Sequence, residues 1–337
     1  MLHSADPFDG VLAALAADPS TDFGAPGTVV ERLERIEGVY SRVQRVRIRT
    51  PARTVHAYVK VTNPRGPGDE GLAQADWFLR REFTATAAFY EAVAQDARIG
   101  AVRPLAFVPA HRAMVTEEVP GRPFSEILAE ATVPTEDLLT IASRVGVWAR
   151  VYQSMGDQPG VVHVTDLRAY LDHRLRLMEG RVISAAERED TLRRFDRLAA
   201  ELGTTEVPKV PIHADLWPMN IIVDHQGRVT VLDFTMAKRG TTCHDLSHLY
   251  FHLDLMAARD RERGELVAAL QKAMLAGYDP SLSAGDPLFR IMLLQHGACQ
   301  VAMLAERRVP LLDRLYRWYL RRTWALCEQV PLAARVL

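Results

Sequence analysis

Cysteine is scarce in this chain of 337 residues: Cys243, Cys299 and Cys327 are all it has, far apart and without a CxxC pair. Such a set builds neither a disulfide framework nor a thiolate zinc site, and it is the pattern of reduced thiols in a cytoplasm. An excess of either charge is lacking too: 41 Lys or Arg stand against 42 Asp or Glu, a net charge of -1. That balance argues against a surface built for nucleic acid or an anionic membrane, which needs a marked cationic excess. No apolar run reaches the roughly 20 residues of a membrane span. The opening residues place Asp6 and Asp9 where a secretory leader would be basic and then apolar. A soluble, cytoplasmic protein is expected. Lysine is also rare, since Lys60 is the only one before Lys209 and arginine carries most of the positive charge.

Turning to what is present, the length suits two lobes better than one core. Val29 to Ile36, Val43 to Thr50 and Thr54 to Val61 are rich in β-branched or alternating residues, and short turns at Gly38 and Pro51 join them into a meander. After the Pro/Gly-rich stretch Asn63 to Gly68 comes a long helical pattern carrying Trp77, Phe78, Phe83 and Phe89. Val102 to Val108 and Ala113 to Val119 read as two more strands, ending at Pro120-Gly121. Beyond that point the pattern is helical: Glu126 to Glu130, Glu136 to Met155, Asp166 to Met178 and Ala185 to Leu202. One strand pair, Asn220 to Val223 and Val229 to Phe234, interrupts it, and four helices follow from His244, broken near Arg259, Asp279-Pro280 and Val309-Pro310. A strand-rich half joined to a helical half predicts an α+β, two-lobed chain with a ligand cleft.

The most informative stretch is Pro211-Ile212-His213-Ala214-Asp215-Leu216-Trp217-Pro218-Met219-Asn220, followed by Val231-Leu232-Asp233-Phe234. A carboxylate at Asp215 can orient and deprotonate a hydroxyl. Asn220, five residues on, offers an amide oxygen to a hard cation, and a hairpin returns Asp233 beside it. Oxygen donors this few suit magnesium, which keeps much of its shell for water and phosphate.

These residues resemble the catalytic and metal-binding loops of the eukaryotic-like kinase superfamily. The His-x-Asp-x-x-x-x-Asn spacing is similar to that of the aminoglycoside phosphotransferase and choline kinase branch. The resemblance implies a protein-kinase-like fold with a small β-rich N-terminal lobe (1–116), a hinge (117–121) and a larger helical lobe (122–337). It implies Asp215 as catalytic base, Asn220 and Asp233 as magnesium ligands, His213 as a brace of the loop, and Asp245 as the tie from a helix start to that loop. The substrates implied are ATP or GTP and a small molecule that accepts phosphate on a hydroxyl, with no protein, nucleic acid or membrane partner. A monomer or homodimer is expected.

A kinase also needs a strand-borne lysine over the phosphates, fixed by a helix-borne glutamate. Lys60, on the third strand, is nearly forced by the absence of other lysines; Glu82 is the best-placed partner, ahead of Asp76 and Glu91. By position, Glu117 and Val119 would read the base through their backbone. Where a glycine-rich phosphate loop is expected, the sequence has Glu37-Gly38-Val39-Tyr40-Ser41-Arg42, with Ser41 as a candidate phosphate contact. Thr235 stands where relatives carry a glycine or an acidic residue, and Trp217 where they often carry histidine.

For the acceptor, Trp217, Asp254 and His296 are candidate contacts, with a satisfied core histidine as the competing reading of His296. From Tyr250 onward nine carboxylates face twelve Arg or Lys residues, which favours a neutral or anionic acceptor over a polycation. An aminoglycoside-inactivating enzyme and a catalytically silent nucleotide-binding scaffold are the rival expectations.

Overall fold

The computed structural model describes residues 6–18, 21, 23–66, 68–93, 96–156, 160–306 and 313–328. The break expected at Val309-Pro310 lies outside the described residues. The chain divides into two compact units, one made of Met1–Pro123 with Asn220–Ala237, the other of Phe124–Met219 with Lys238–Leu337. Segment 220–237 thus returns to the first unit, which a linear division at 116 or 121 does not capture.

The first unit contains α1 (Pro7–Ala16), β1 (Val29–Glu37), β2 (Ser41–Arg49), β3 (Thr54–Thr62), α2 (Gly68–Val93), β4 (Ile99–Gly100), β5 (Pro104–Val108), β6 (Ala113–Glu117), β7 (Arg122–Pro123), β10 (Ile221–Val223) and β11 (Val229–Val231). Its main sheet has the order β1-β2-β3-β6-β5 and is antiparallel throughout. A smaller sheet has the order β4-β11-β10-β7. Helix α1 lies outside the elements expected from periodicity, yet its start is written in the sequence: the Asp6 carboxylate accepts the Phe8 amide (3.1 Å) and Pro7 opens the first turn. Its Phe8, Val11 and Leu15 form a core with Val46 and Ile48 of β2 and Val55, Ala57, Val59 and Val61 of β3.

Because strand side chains alternate, that core fixes where Lys60 points. Val59 and Val61 face α1, so Lys60 lies on the other face of the sheet. On α2 the buried positions are Gly71, Ala75, Leu79, Glu82, Thr86, Phe89 and Val93, one helical stripe at spacings of three and four. Glu82 falls in the middle of that stripe, whereas Asp76 and Glu91 are exposed.

The second unit contains α3 (Phe124–Ala129), α4 (Thr135–Ser154), β8 (Val161–His163), α5 (Val164–Arg176), α6 (Ala185–Leu202), β9 (Glu206–Ile212), β12 (Lys238–Thr241), α7 (His244–Arg259), α8 (Gly264–Tyr278), α9 (Pro287–Glu306) and α10 (Asp313–Cys327). The helices match the periodic segments closely. The three-stranded sheet β12-β9-β8 corrects the expectation of a single strand pair in this half. Its central strand hides itself by carrying Pro208 and Pro211, residues that argue against a central strand. They are tolerated because β8 pairs with residues 206–208 and β12 with 209–212, so each half of β9 has a partner on one side only.

Gly121 has φ +137°, and a Cβ there would lie 2.4 Å from the Val223 carbonyl oxygen. Gly121→Ala should therefore cost about 1–3 kcal/mol of stability, read as an earlier midpoint in urea denaturation; an unchanged midpoint would refute the close approach of β7 and β10.

Candidate active site

The alternation of β3 and the stripe of α2 bring Lys60 and Glu82 together. The Lys60 ammonium donates to both Glu82 oxygens, at 2.7 and 2.9 Å, and to Asp233 Oδ1 at 3.1 Å. The two partners differ in setting: the Glu82 side chain is 5% exposed and the Asp233 side chain 45%. Burial works against the Lys60 charge, but the two carboxylates more than offset it and raise the Lys60 pKa above the ordinary lysine value. The ammonium is thus permanently charged at neutral pH.

Asp233 is held in the left-handed region (φ 65°, ψ 69°) and caps the short turn Phe234–Met236 through the Thr235 amide, 3.3 Å from Oδ1. A non-glycine residue in that region carries strain, here offset by the hydrogen bonds around it and by Phe234, whose ring lies 6.0 Å from that of Phe89 on α2. The register of β10 with β11 pairs Ile221 with Val231, and the Leu232 amide donates to the Asn220 carbonyl at 2.8 Å. Asn220 is therefore carried to the residue beside Asp233, as the hairpin spacing predicts.

Two residues of this cluster are not assigned a role by the sequence. The Thr235 hydroxyl accepts from Lys60 at 2.9 Å and lies against Glu82 Oε2 (2.8 Å) and the Asp233 carboxylate. Arg81 donates to the Thr235 carbonyl at 2.7 Å. In sequence Thr235 is only a departure from relatives, and nothing in an isolated arginine beside Glu82 marks Arg81.

In the second unit, β9 delivers the loop that begins at His213. Asp245, in the first turn of α7 and fully buried, accepts two successive amides: His213 N on Oδ2 and Ala214 N on Oδ1, both at 2.8 Å. Ala214 takes φ 63°, a conformation that two anchored amides can hold against its strain. Burial opposes the Asp245 charge, but hydrogen bonding and the neighbouring imidazoles of His244 and His213 bring its pKa below the usual carboxylate range. His213 is buried, with the ring of Trp148 edge-on at 5.8 Å. Asp215, two residues on, is half-buried.

Ser41 opens β2, and its carbonyl accepts the Gly38 amide at 2.8 Å. Glu117 ends β6; its amide donates to the Arg103 carbonyl (2.9 Å) and its carboxylate pairs with Arg103 (3.3 Å). Val119 follows in non-regular chain before Gly121. Asp254 corrects the acceptor expectation: it is 1% exposed and its carboxylate takes Arg322 Nε at 2.6 Å, so its charge is committed to a buried ion pair. His296 is a core histidine, its Nε2 2.9 Å from the His244 carbonyl. It belongs to a cluster on α7 and α9: its ring lies 4.6 Å from that of His244 and 5.0 Å from that of His248, and His248 Nε2 is 3.1 Å from His252 Nε2. Trp217 packs on His252 at 5.8 Å, and its buried indole nitrogen has no hydrogen-bond partner among the described residues.

Could magnesium be held here? Asn220 and Asp233 supply oxygen donors only, and among the described residues no group of three or more His, Cys, Asp or Glu forms a self-sufficient metal site. A half-exposed carboxylate and an amide, completed by phosphate and water, fit a cation that prefers few protein ligands.

Burial pushes His252 down to about 4 and holds His248 and His296 well below the ordinary 6.5. The unfolded chain takes up these protons near pH 6.5 and folded His252 only near pH 4, with His248 and His296 also held well below 6.5, so acid favours unfolding across that window. The melting temperature should fall steadily from about pH 7 to about pH 4.5, and His252→Phe should flatten the fall; a pH-independent melting temperature would contradict a neutral buried cluster.

Residues 36–282 match the profile of the family described as "Phosphotransferase enzyme family". No match was found among curated protein sequences. Similar solved structures include a choline/ethanolamine kinase family protein from Mesorhizobium loti, 17% identical, with a TM-score of 0.60 over 98% of each chain. A macrolide 2'-phosphotransferase from Brachybacterium faecium is 15% identical, with a TM-score of 0.54 over 93% of this chain and 98% of its own. An amicoumacin kinase in complex with AMP-PNP, Ca2+ and its antibiotic is 16% identical, with a TM-score of 0.53 over 96% of this chain and 94% of its own. At these identities the likeness establishes the fold, which is protein-kinase-like.

Proposed function

The chain belongs to the phosphotransferase enzyme family, and from that premise we propose that it moves the γ-phosphoryl group of ATP or GTP onto a hydroxyl of a small, uncharged molecule. The observation that carries this reading is the Lys60 ammonium held between buried Glu82 and Asp233 at 2.7 to 3.1 Å. A lysine fixed in this way is suited to the α- and β-phosphates of a nucleotide. A scaffold that had lost catalysis would have no need to retain it together with Asp215 and Asn220.

In this mechanism Lys60, oriented by Glu82, takes phosphate oxygens in place of Asp233. Asn220 and Asp233 would hold magnesium, which supplies neutralisation of charge on those oxygens. Asp215 accepts the proton of the acceptor hydroxyl as its oxygen bonds to the γ-phosphorus and the bond to the β-phosphate oxygen breaks. Asp245, by fixing the amides of His213 and Ala214, presents Asp215 in one conformation. Most of the acceleration comes from positioning and charge stabilisation.

The acceptor class follows from charge. Trp217 lies two residues beyond Asp215 and packs on His252, which burial keeps neutral at pH 7, and Asp254 is consumed by Arg322. An indole ring packed on a neutral imidazole suits a sugar-like or nucleoside-like molecule or a neutral antibiotic, and offers little to several ammonium groups.

Asp215→Ala should lower turnover by about 10²–10⁴-fold while nucleotide affinity is kept, measured by coupled ADP release and by calorimetry. Screening sugars, nucleosides, macrolides and aminoglycosides for phosphate transfer, with product identified by mass, should give turnover with a neutral acceptor. Selective phosphorylation of a polycation would refute the acceptor assignment, and an Asp215→Ala enzyme of normal rate would refute the base.

A further inference from the structure

The turn between β1 and β2 has one glycine where a phosphate-covering loop of this fold would have several, and the Gly38 amide is already spent on the Ser41 carbonyl at 2.8 Å. What the turn has instead is an external brace. Asn63, just past β3, donates its side-chain amide to the carbonyls of Gly38 (3.4 Å) and Val39 (3.3 Å), and its backbone amide to the carbonyl of Tyr40 (2.9 Å). No peptide bond of the described chain is cis, and in a trans peptide the C=O and N–H point in opposite directions. With three successive carbonyls drawn to Asn63, the amides of Val39, Tyr40 and Ser41 face the opposite side. Successive amides on one side of a turn make an anion-binding concavity.

Tyr40, the tip of this turn, is 58% exposed and is held by a ladder of alternating rings and guanidinium groups. Arg65 lies over the Tyr40 ring at 4.6 Å and the Phe78 ring at 3.8 Å; Arg81 lies over Phe78 at 4.7 Å and Trp77 at 4.2 Å. The buried Nε of Arg65 has no hydrogen-bond acceptor among the described residues, so the two rings are what hold this guanidinium at that edge. At the far end Arg81 bonds the Thr235 carbonyl at 2.7 Å, two residues beyond Asp233. The ladder joins the turn, α2 and the Asp233 loop, all within the first unit.

We propose that Asn63 and Arg65 are positioning residues that set the Gly38–Ser41 turn for the phosphates of the nucleotide, replacing the run of glycines; this rests on the phosphotransferase reading above. Asn63 aims the amides, and Arg65, through Tyr40, keeps the turn against α2. Glycines reach such a geometry by conformational freedom, and here side-chain contacts impose it.

The test is calorimetric titration of the full-length chain with ADP or GDP plus magnesium, beside the matching nucleoside without phosphates, with melting temperatures recorded. Asn63→Ala, Arg65→Gln and Tyr40→Ala should each weaken diphosphate binding about tenfold, equivalent to about 1.4 kcal/mol, and leave nucleoside binding unchanged. Tyr40→Phe, which keeps the ring face, should bind as wild type. Arg65→Gln combined with Tyr40→Ala should be little weaker than either alone, since one contact is lost in all three. Unchanged diphosphate affinity in Arg65→Gln and Tyr40→Ala, or equal losses for nucleoside and diphosphate, would overturn the proposal while the kinase reading stands. If Asn63→Ala fails to fold, the exposed Tyr40→Ala and Tyr40→Phe pair decides. A wild-type chain that binds no nucleotide would overturn the kinase reading itself.

Discussion

Glu82 sits on the buried stripe of α2, where an ionised carboxylate without a partner would be strongly destabilising. Its partner is an ammonium supplied by the next layer, on the strand face that the apolar alternation of β3 leaves pointing away from α1. The pair therefore does two things at once. It allows a charged residue inside the packing of α2 on the sheet, and it holds one amine at a defined place with its charge intact. Asp233 and Thr235 complete the arrangement, so the loop after β11 is pinned to the same amine that the helix fixes. A change in the alternation of β3 or in the stripe of α2 would dissolve the arrangement even if every polar residue stayed in the chain.

The second unit solves a related problem with backbone in place of charge. The loop after β9 must turn sharply with an alanine in the left-handed region. One buried carboxylate, Asp245, holds the two amides that define the turn. Since it is also in the first turn of α7, where a negative charge is favoured by the helix dipole, the helix stabilises the anchor and the anchor stabilises the loop. Asp215 inherits its placement from this arrangement. Both units thus carry a strained non-glycine residue, Ala214 in one and Asp233 in the other, beside the groups assigned to chemistry. Backbone strain of this kind tends to be kept where function requires it.

The histidines of α7 and α9 show how burial changes the meaning of a residue type. Four imidazoles close together would suggest a metal site or a proton relay from composition alone. They pack against one another and Trp217, burial drives the pKa values of His248, His252 and His296 down, and the contacts of the cluster are ring on ring and imidazole on carbonyl. Asp254 makes the same point from the other sign: a carboxylate on α7, the helix that carries Asp245 in its first turn, is spoken for by Arg322 from a helix far along the chain.

Much was legible in the sequence because it depends on local rules. Alternation marks β1 to β3, helical periodicity marks α4 to α8, and the spacing of His213, Asp215, Asn220 and Asp233 points to the family. The scarcity of lysine singles out Lys60, and helix phase separates Glu82 from Asp76 and Glu91. What the sequence could not decide were pairings between distant segments: the sheet that joins β8, β9 and β12 around two prolines, the return of 220–237 to the first unit, the roles of Thr235 and Arg81, and the brace of Asn63 and Arg65 on the turn at Tyr40. Local propensity is a property of neighbouring residues and can be read along the chain. A hydrogen bond or ring contact between residues tens of positions apart exists only after the packing of apolar faces has set their distance, and that is decided by the tertiary structure.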